Sequence, residues 1–358
     1  MLNKIRLKKS LKTFEAYSAD ETNYSFRLNA NEFPFDYDEI FNLTKKEKAF
    51  LNEINIRNIN RYPDPFQKEL RSIILNNYNL KKGQILFGNG SDELILYILL
   101  TLTGKTSKVL YLDPSFSMYK ILTKGLGLKG IGVPLTSEFK LNLKKVIKEI
   151  RLNDPDLIFI ASPNNPTGNS FKKEDIIKII ECSKGIVVID EAYSDYSSTS
   201  CIDLLRKNKN LLIMKTMSKI GFASLRLGFL LGDRAVISSI NKLRLPYNIS
   251  TFSQIIAYKF FQKPSVINGY IEEIKDQRTQ LYDFLKTLPE IKVFDSDSNF
   301  ILIKHKKSKE LYKFLTKKNI IIKNFFSVVR LQDCLRITIG TSKENKKLIS
   351  SIRHFFKK

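Results

Sequence analysis

Short apolar runs alternate with longer amphipathic stretches over residues 85–235, and this alternation constrains the fold more than any other feature. Seven of the apolar runs are predicted to be strands: 84–89, 108–114, 130–135, 156–163, 185–192, 210–216 and 226–232. The intervening stretches, such as 91–103 and 142–151, have the spacing of amphipathic helices. Strands that are apolar throughout bury both faces, so the pattern predicts an α/β fold with a mostly parallel seven-stranded sheet.

The C-terminal third has a different order of elements. A long charged helical pattern at 268–288 precedes strand-like runs and a final helix, which is typical of a smaller α+β domain. A chain of 358 residues is long enough for two such cores. We therefore predict an N-terminal arm at 1–30, a large domain at 31–245 and a small C-terminal domain at 246–358.

The formal net charge of +24 raises the question of a nucleic-acid partner. The 60 lysines and arginines are spread over nearly every segment and do not cluster among aromatic residues, so no such partner is predicted. Three cysteines without a CxxC pair indicate free thiols, and only two histidines are present, both in lysine-rich surroundings. This composition argues against a metal site.

The N-terminus is basic, but no apolar stretch of the kind found in secretory signals follows it. The longest apolar run, 93–103, is about half the length of a membrane span. We expect a cytoplasmic protein without a membrane partner.

Polar motifs follow five of the predicted strands at the point where each strand ends. They are GNGSDE (88–93), DPSFSMY (113–119), SPNNPTGN (162–169), DEAYSDY (190–196) and TMSK (216–219). In an open α/β sheet, ligands bind at the carboxyl edge of the strands. The sequence therefore predicts a binding site there.

Two charged residues on these motifs stand in unusual surroundings. Lys219 lies among small and apolar residues, with Arg226 seven residues later; a surface lysine is the plain alternative. Asp190 closes an apolar strand, where an ionised carboxylate needs a partner such as a protonated ring nitrogen, a helix cap or a local ion pair. Ser91 precedes a helix-like run, where backbone N–H groups cradle a phosphate or simply form a turn.

Further side chains on the same motifs fit one ligand. Tyr193 and Asn165 bring a phenol and an amide to this edge, Phe116 offers a flat apolar face, and Ser218 adds a hydroxyl. The implied ligand is planar, carries a phosphate, has a nitrogen that pairs with a carboxylate, and lies near a lysine amine. Pyridoxal phosphate (PLP) meets these requirements, because its aldehyde forms a Schiff base with lysine and its protonated ring is an electron sink.

The order of the motifs resembles that of fold type I PLP-dependent aminotransferases. It comprises GNGSDE, SPNNPTGN, DEAYSDY, SKIGFASLRLG and CLRITIG, and the resemblance runs from about residue 27 to the end of the chain. RLNANEFPF (27–35) and RYPDP (61–65) resemble the N-terminal signatures of the histidinol-phosphate aminotransferase subfamily.

The resemblance implies a role for each matching residue on the cofactor side. Lys219 would be the Schiff-base lysine and proton carrier, Asp190 would pair with the pyridine nitrogen, and Tyr193 would bind the ring oxygen together with Asn165. Phe116 would stack on the ring. The phosphate would be held by Gly90, Ser91, Asp92, Ser218 and Arg226, and by Tyr62 of a neighbouring subunit in a homodimer.

On the substrate side, the resemblance implies that Arg336 binds an anionic group and that Asn31 contacts the substrate. Lys323 stands thirteen residues before Arg336, where this subfamily usually has a second arginine for the substrate phosphate. Lysine is a point charge without a bidentate grip, and Arg330 is an alternative second anchor. Two aromatic residues of the arm compete for a substrate-facing position, namely Phe14 and Tyr17.

The expected activity is transfer of an amino group from glutamate, giving 2-oxoglutarate, to a small phosphorylated ketone or aldehyde. Candidate reactions use histidinol phosphate, or convert dihydroxyacetone phosphate into serinol phosphate. The alternative is a PLP-dependent decarboxylase of threonine phosphate or serine phosphate, since such enzymes resemble the same subfamily. A third hypothesis, a nucleic-acid-binding protein on an inactive enzyme fold, is disfavoured by the intact set of cofactor residues.

Overall fold

The structure is a computed structural model, and it describes residues 24–35 and 60–357 of the chain. Strand β1 (Phe26–Leu28) lies in the first of these ranges. The large sheet contains seven strands: β2 (Ile85–Asn89), β3 (Lys108–Asp113), β4 (Lys129–Pro134), β5 (Leu157–Ala161), β6 (Ile186–Asp190), β7 (Leu211–Thr216) and β8 (Leu227–Gly232). Each strand falls within one residue of a predicted range at its start and within two at its end, so the predicted sheet is confirmed.

The strands of the large sheet lie in the order β2-β8-β7-β6-β5-β3-β4. β8 runs antiparallel to both neighbours, and every other pair is parallel. The six strands β2–β7 therefore share one direction, and only β8 is reversed.

The central strands are buried along their whole length because helices cover both faces of the sheet. In β5, Ile158 and Ile160 pack into the core on one face, whereas Leu157, Phe159 and Ala161 pack into the core on the other. This division follows the two-residue period of a strand. It explains why the strand has no polar position.

Ten helices occur among the described residues, together with three short 3-10 segments. The helices are α1 (Lys68–Asn77), α2 (Gly90–Leu102), α3 (Ser117–Gly125), α4 (Leu143–Asn153), α5 (Lys173–Cys182), α6 (Arg234–Asn241), α7 (Thr251–Gln262), α8 (Ser265–Lys286), α9 (Ser308–Lys317) and α10 (Ser342–Phe356). Helix α4 is representative: Asn142 caps its start, and Val146 and Ile150 form its buried face four residues apart.

A second sheet is built from β1 and four strands of the C-terminal third, which are β9 (Lys292–Val293), β10 (Phe300–Lys304), β11 (Ile320–Asn324) and β12 (Cys334–Thr338). Its order is β1-β11-β12-β10-β9, with β1 parallel to β11 and the other pairs antiparallel. Three residues of the predicted arm thus belong to this sheet. Helix α7 lies instead near the large sheet, because Phe261 of α7 packs against Phe229 of β8 with ring centroids 6.1 Å apart. The predicted domain boundaries stay a prediction.

None of the helices in the described ranges is long and apolar enough to cross a membrane. The same residues contain no group of three or more His, Cys, Asp or Glu side chains that could hold a metal ion. All three cysteines, Cys182, Cys201 and Cys334, are free.

Candidate active site

The carboxyl ends of β2–β7 meet at one edge of the large sheet, since these strands are parallel. β8 is reversed, so its amino end lies at the same edge. Its reversal brings Arg226, the residue before β8, to the residues that follow the other strands. The residues gathered at this edge are Gly90, Ser91, Asp92, Phe116, Asn165, Asp190, Tyr193, Ser218, Lys219 and Arg226.

Asp190 is the last residue of β6, and its carboxylate is held at both oxygens. Only 4% of the residue is exposed. Oδ1 accepts the backbone N–H of Ala192 at 3.0 Å, and Oδ2 accepts the hydroxyl of Tyr119 at 2.6 Å. Burial raises the pKa of Asp190 to about 6, while both hydrogen bonds act in the opposite direction. The site therefore contains a carboxylate that gains from a cationic partner.

The backbone around Asp190 is fixed by the next residue. Glu191 points into the core, where one of its oxygens accepts Lys215 Nζ at 3.1 Å and the other accepts the N–H of Cys201 at 2.6 Å. Both charged side chains are buried. A buried ion pair of this kind is costly to break, because the remaining charge has no partner.

Lys219 lies three residues beyond β7 and is half-buried. Its Nζ donates to the carbonyl of Ala30 at 3.5 Å, which brings the N-terminal segment to this edge. The loop is anchored on both sides: Met217 donates its N–H to Leu227 at 3.0 Å, and the hydroxyl of Tyr196 donates to the carbonyl of Lys219. The lysine is therefore presented by a fixed backbone.

Gly90 begins helix α2 with a φ of +77°, and Arg226 packs directly over it. A Cβ atom on Gly90 would lie 2.7 Å from Nη2 of Arg226, so glycine is required for this approach. Nη2 also lies 3.3 Å from Oδ2 of Asp92. Ser218 is buried near the same loop, with its hydroxyl 3.0 Å from that of Thr216. A helix N-terminus beside a guanidinium forms a site for a phosphate.

A hydrogen-bond network joins the large sheet to the small one. The hydroxyl of Tyr193 accepts Nδ2 of Asn31 at 2.9 Å and Nδ2 of Asn165 at 3.4 Å. Oδ1 of Asn165 accepts Nη1 of Arg336 at 2.6 Å. Asn31 is buried, and its Oδ1 accepts the hydroxyl of Thr338 at 2.9 Å. The structure thus places Asn31 against Tyr193, and its contact with a substrate stays a prediction.

Arg336 and Lys323 are direct neighbours on adjacent strands of the small sheet. Side chains at paired positions project from the same face, so the two cations share a face. Lys323 is exposed, whereas Arg336 is buried and also donates to the carbonyl of Asn29 at 2.8 Å. The rival anchor, Arg330, has its Nε 3.7 Å from Oδ2 of Asp113 at the end of β3.

The remaining predicted residues occupy varied positions. The ring of Phe116 lies edge-on to Tyr119, with centroids 5.6 Å apart. Tyr62 is 80% exposed and stacks on Tyr247 at a centroid distance of 4.4 Å, so it lies on the surface of this subunit. Phe14 and Tyr17 lie outside the described residues.

Sequence reasoning missed two residues that hold the site together. Tyr119 binds Asp190, and its signal was its position three residues after Phe116 at the start of a helix, which puts both on one side. Thr338 binds Asn31, and its signal was its position two residues after Arg336 on a strand. The spacing within each motif does not identify the hydrogen-bond partner.

The residues at this edge fit PLP. Asp190 supplies a buried carboxylate for a ring nitrogen, and Lys219 supplies an amine. The N-terminus of α2 and Arg226 fit a phosphate. Asn165 and Tyr193 offer an amide and a hydroxyl that fit the ring oxygen. The sheet with one reversed strand and this set of side chains define a PLP-dependent transferase of fold type I.

Comparison with known proteins places the chain within that class. The family described as "Aminotransferase class I and II" matches residues 25–352. A histidinol-phosphate aminotransferase of Vesicomyosocius okutanii is 39% identical over 352 residues, which cover 98% of each chain. The chain belongs to the class I and II aminotransferase family, in its histidinol-phosphate aminotransferase-like subfamily. It is a PLP-dependent aminotransferase.

Solved structures share the fold. The histidinol-phosphate aminotransferase of Sinorhizobium meliloti, in complex with pyridoxal-5'-phosphate, superposes with a TM-score of 0.86 at 18% identity, covering 98% of each chain. The L-threonine-O-3-phosphate decarboxylase of Porphyromonas gingivalis superposes with a TM-score of 0.79 at 20% identity, covering 93% of this chain and 100% of that one. At these identities the likeness concerns the fold alone.

The buried carboxylate predicts a pH-dependent effect on the stability of the cofactor-free protein. Since the pKa of Asp190 is raised on folding, its contribution to stability is present below about pH 4 and is lost as the pH rises through about 6. Asp190→Asn should therefore become the more stable form as the pH increases, by up to about 3 kcal/mol. Urea unfolding of both proteins from pH 4 to pH 7.5 measures the difference. A difference that does not change with pH would contradict the assignment.

Proposed function

We propose that the enzyme transfers the amino group of glutamate to a small phosphorylated ketone or aldehyde, or runs the same reaction from an amino-alcohol phosphate. The observation that carries the proposal is the pairing of Arg336 with Lys323 on one face of the small sheet, with Arg336 bonded to Asn165 of the active site. The names of the relatives support histidinol phosphate as a substrate. Dihydroxyacetone phosphate, which would give serinol phosphate, is the second candidate.

In this proposal each residue of the site has a definite task. PLP, when bound, supplies an electron sink for the charge that develops at the substrate carbon. Lys219 holds and moves the proton of that carbon through its amine. Asp190 keeps the ring nitrogen protonated, and Asn165 with Tyr193 binds the ring oxygen. Phe116 covers the ring, and the phosphate is held by Gly90, Ser91, Asp92, Ser218 and Arg226.

The substrate would be recognised through its charge. The guanidinium of Arg336 grips a carboxylate or phosphate through two parallel N–H groups, and its contacts with Asn165 and Asn29 already fix its orientation. Lys323 adds a second positive charge on the same face without a fixed geometry. A phosphorylated substrate uses both, whereas a substrate without an anionic group uses neither.

We also propose a homodimer in which Tyr62 reaches the cofactor phosphate of the second subunit. Its support is an apolar surface patch formed by neighbouring segments, consisting of Tyr62, Phe66, Leu243, Leu245, Tyr247 and Phe252. All six side chains are exposed, and an exposed apolar area of this kind is typical of a protein interface. Arg244 joins the segments by donating to the carbonyl of Pro65 at 3.1 Å.

A decarboxylase of a phosphorylated amino acid is the second candidate. The P. gingivalis decarboxylase supports it only through a common fold. The two reactions differ in the bond that is cleaved at the α-carbon, and the same cofactor residues serve both. Glutamate separates them, because an aminotransferase accepts its amino group and a decarboxylase does not.

The central test is the visible spectrum of the PLP-loaded enzyme before and after addition of L-glutamate. We expect the yellow colour to bleach as the cofactor takes up the amino group. Lys219→Ala should lose at least three orders of magnitude in turnover and bind PLP without a covalent bond, because no other amine performs the proton transfer. Lys209→Ala, at an exposed position, is the matched control and should bleach normally. A wild-type enzyme that ignores glutamate but releases carbon dioxide from threonine phosphate would favour the decarboxylase.

The substrate anchors can be tested separately. Arg336→Ala should lower kcat/KM by roughly two orders of magnitude for histidinol phosphate, because two charge-assisted hydrogen bonds are lost, and should change it little for unphosphorylated histidinol, which has no anionic group. Lys323→Ala should lower it by roughly tenfold, and only for the phosphorylated compound. Steady-state kinetics with 2-oxoglutarate as acceptor measures both. If Lys323→Ala affects the two compounds equally, Lys323 does not bind the phosphate.

The dimer predicts a clear effect of a charge within the patch. Leu245 is 63% exposed, and Leu245→Asp should convert the protein to a monomer in sedimentation velocity experiments, because a carboxylate cannot be desolvated at an apolar interface. Leu152 is 71% exposed at the end of α4, at the opposite edge of the sheet, and Leu152→Asp is the control. A monomeric wild-type protein that binds PLP and turns over would rule the dimer out.

A further inference from the structure

Tyr119 is a fully buried tyrosine whose ring packs against two aromatic neighbours. It is the third residue of α3 and has no exposed surface. Its ring stacks on Phe159 of β5 with centroids 4.9 Å apart and an angle of 11°, and Phe116 packs edge-on against it. These two ring contacts set the orientation of the side chain, and hence the direction of its hydroxyl.

The hydroxyl of Tyr119 donates to Oδ2 of Asp190 at 2.6 Å. Burial raises the pKa of Tyr119 well above its ordinary value, so the phenol stays protonated and donates. Since Ala192 occupies Oδ1, the carboxylate is fixed at both oxygens, and each oxygen keeps a further lone pair for another donor. The carboxylate is thus oriented by the protein before any ligand is bound.

We propose that Tyr119 is a positioning residue that holds the Asp190 carboxylate ionised and aimed at the ring nitrogen of PLP. Tyr119 acts through Asp190 and does not take part in proton transfer to the substrate. The inference rests on the proposed pairing of Asp190 with that nitrogen.

The physical reason is the low polarity of the surroundings. Desolvation is the largest influence on Asp190 and favours its neutral form, and the Tyr119 hydroxyl is the largest one acting against it. A neutral carboxylic acid cannot stabilise a protonated ring nitrogen. Without the hydroxyl, Oδ2 also loses its partner among the described contacts, and the carboxylate is held only at Oδ1 by the Ala192 N–H.

The hydroxyl can be removed while the ring is kept. Tyr119→Phe deletes one atom and preserves the stacking on Phe159. Tyr111→Phe is the matched control, because Tyr111 is a buried tyrosine of the same core whose hydroxyl lies over Gly130 on the edge strand β4. Both variants are compared with the wild type for binding of PLP and of 1-deaza-PLP, an analogue in which a CH group replaces the ring nitrogen.

We expect Tyr119→Phe to bind PLP roughly tenfold or more weakly, the usual effect of losing a hydrogen bond to a charged group, and to bind the analogue as the wild type does. Tyr111→Phe should bind both normally. An equal loss for PLP and the analogue would show that Tyr119 only packs, and no loss for either would show that its hydroxyl has no role. Both results overturn the inference.

Asp190→Asn separates this inference from the assignment on which it rests. If Asp190→Asn weakens PLP selectively but Tyr119→Phe does not, the inference about Tyr119 is wrong and the pairing of Asp190 stands. If Asp190→Asn itself fails to distinguish PLP from the analogue, the pairing is wrong. A 15N NMR spectrum of ring-labelled PLP provides a second measurement, since Tyr119→Phe should shift the nitrogen signal toward the unprotonated form.

Should Tyr119→Phe not fold, 3-fluorotyrosine at position 119 keeps the shape of the side chain and donates more strongly. It should move the 15N signal toward the protonated form. An unchanged signal would overturn the inference in that case too.

Discussion

The site depends on the direction of the strands. Six parallel strands bring their carboxyl ends to one edge, and the reversal of β8 puts Arg226 over the start of α2. The close approach of the two elements requires glycine on both sides, because a Cβ on Gly228 would lie 2.7 Å from the carbonyl carbon of Gly90. The proposed phosphate site is therefore a consequence of the sheet topology. The neighbouring strands β7 and β6 position Lys219 and Asp190.

The buried carboxylate of Asp190 has hydrogen-bond donors from the protein in place of water. On one side Tyr119 and the Ala192 N–H hold the carboxylate. On the other side Glu191 and Lys215 form a buried ion pair that fixes the following residue. Asp190 ends β6 and Glu191 follows it, and the two side chains point in opposite directions, one toward the edge of the sheet and one into the core. The buried ion pair and the proposed cofactor contact therefore share this short segment.

The second sheet closes the site from the other side. β12 contributes Arg336 and Thr338, which project from one face and hold Asn165 and Asn31 respectively. The NNPTG turn is joined to the same part of the protein, because Asp297 donates its N–H to the carbonyl of Gly168 at 2.8 Å. A substrate anion bound at Arg336 would therefore be coupled through Asn165 to Tyr193 and the cofactor ring. Under the proposed function, charge recognition and chemistry would belong to one network.

The sequence by itself determined the large sheet, the edge that carries the site and the cofactor, because apolar runs and strand-end motifs are local patterns. It also pointed to Lys219 and Asp190 at that edge, since a lysine or aspartate in apolar surroundings is conspicuous. It did not give Tyr119 or Thr338, which act through partners 71 and 307 residues away. It did not place β1 in the second sheet, since three residues are too few for a periodic pattern. Those features were decided by tertiary structure, because hydrogen bonds between distant segments depend on chain packing and leave no spacing in the sequence.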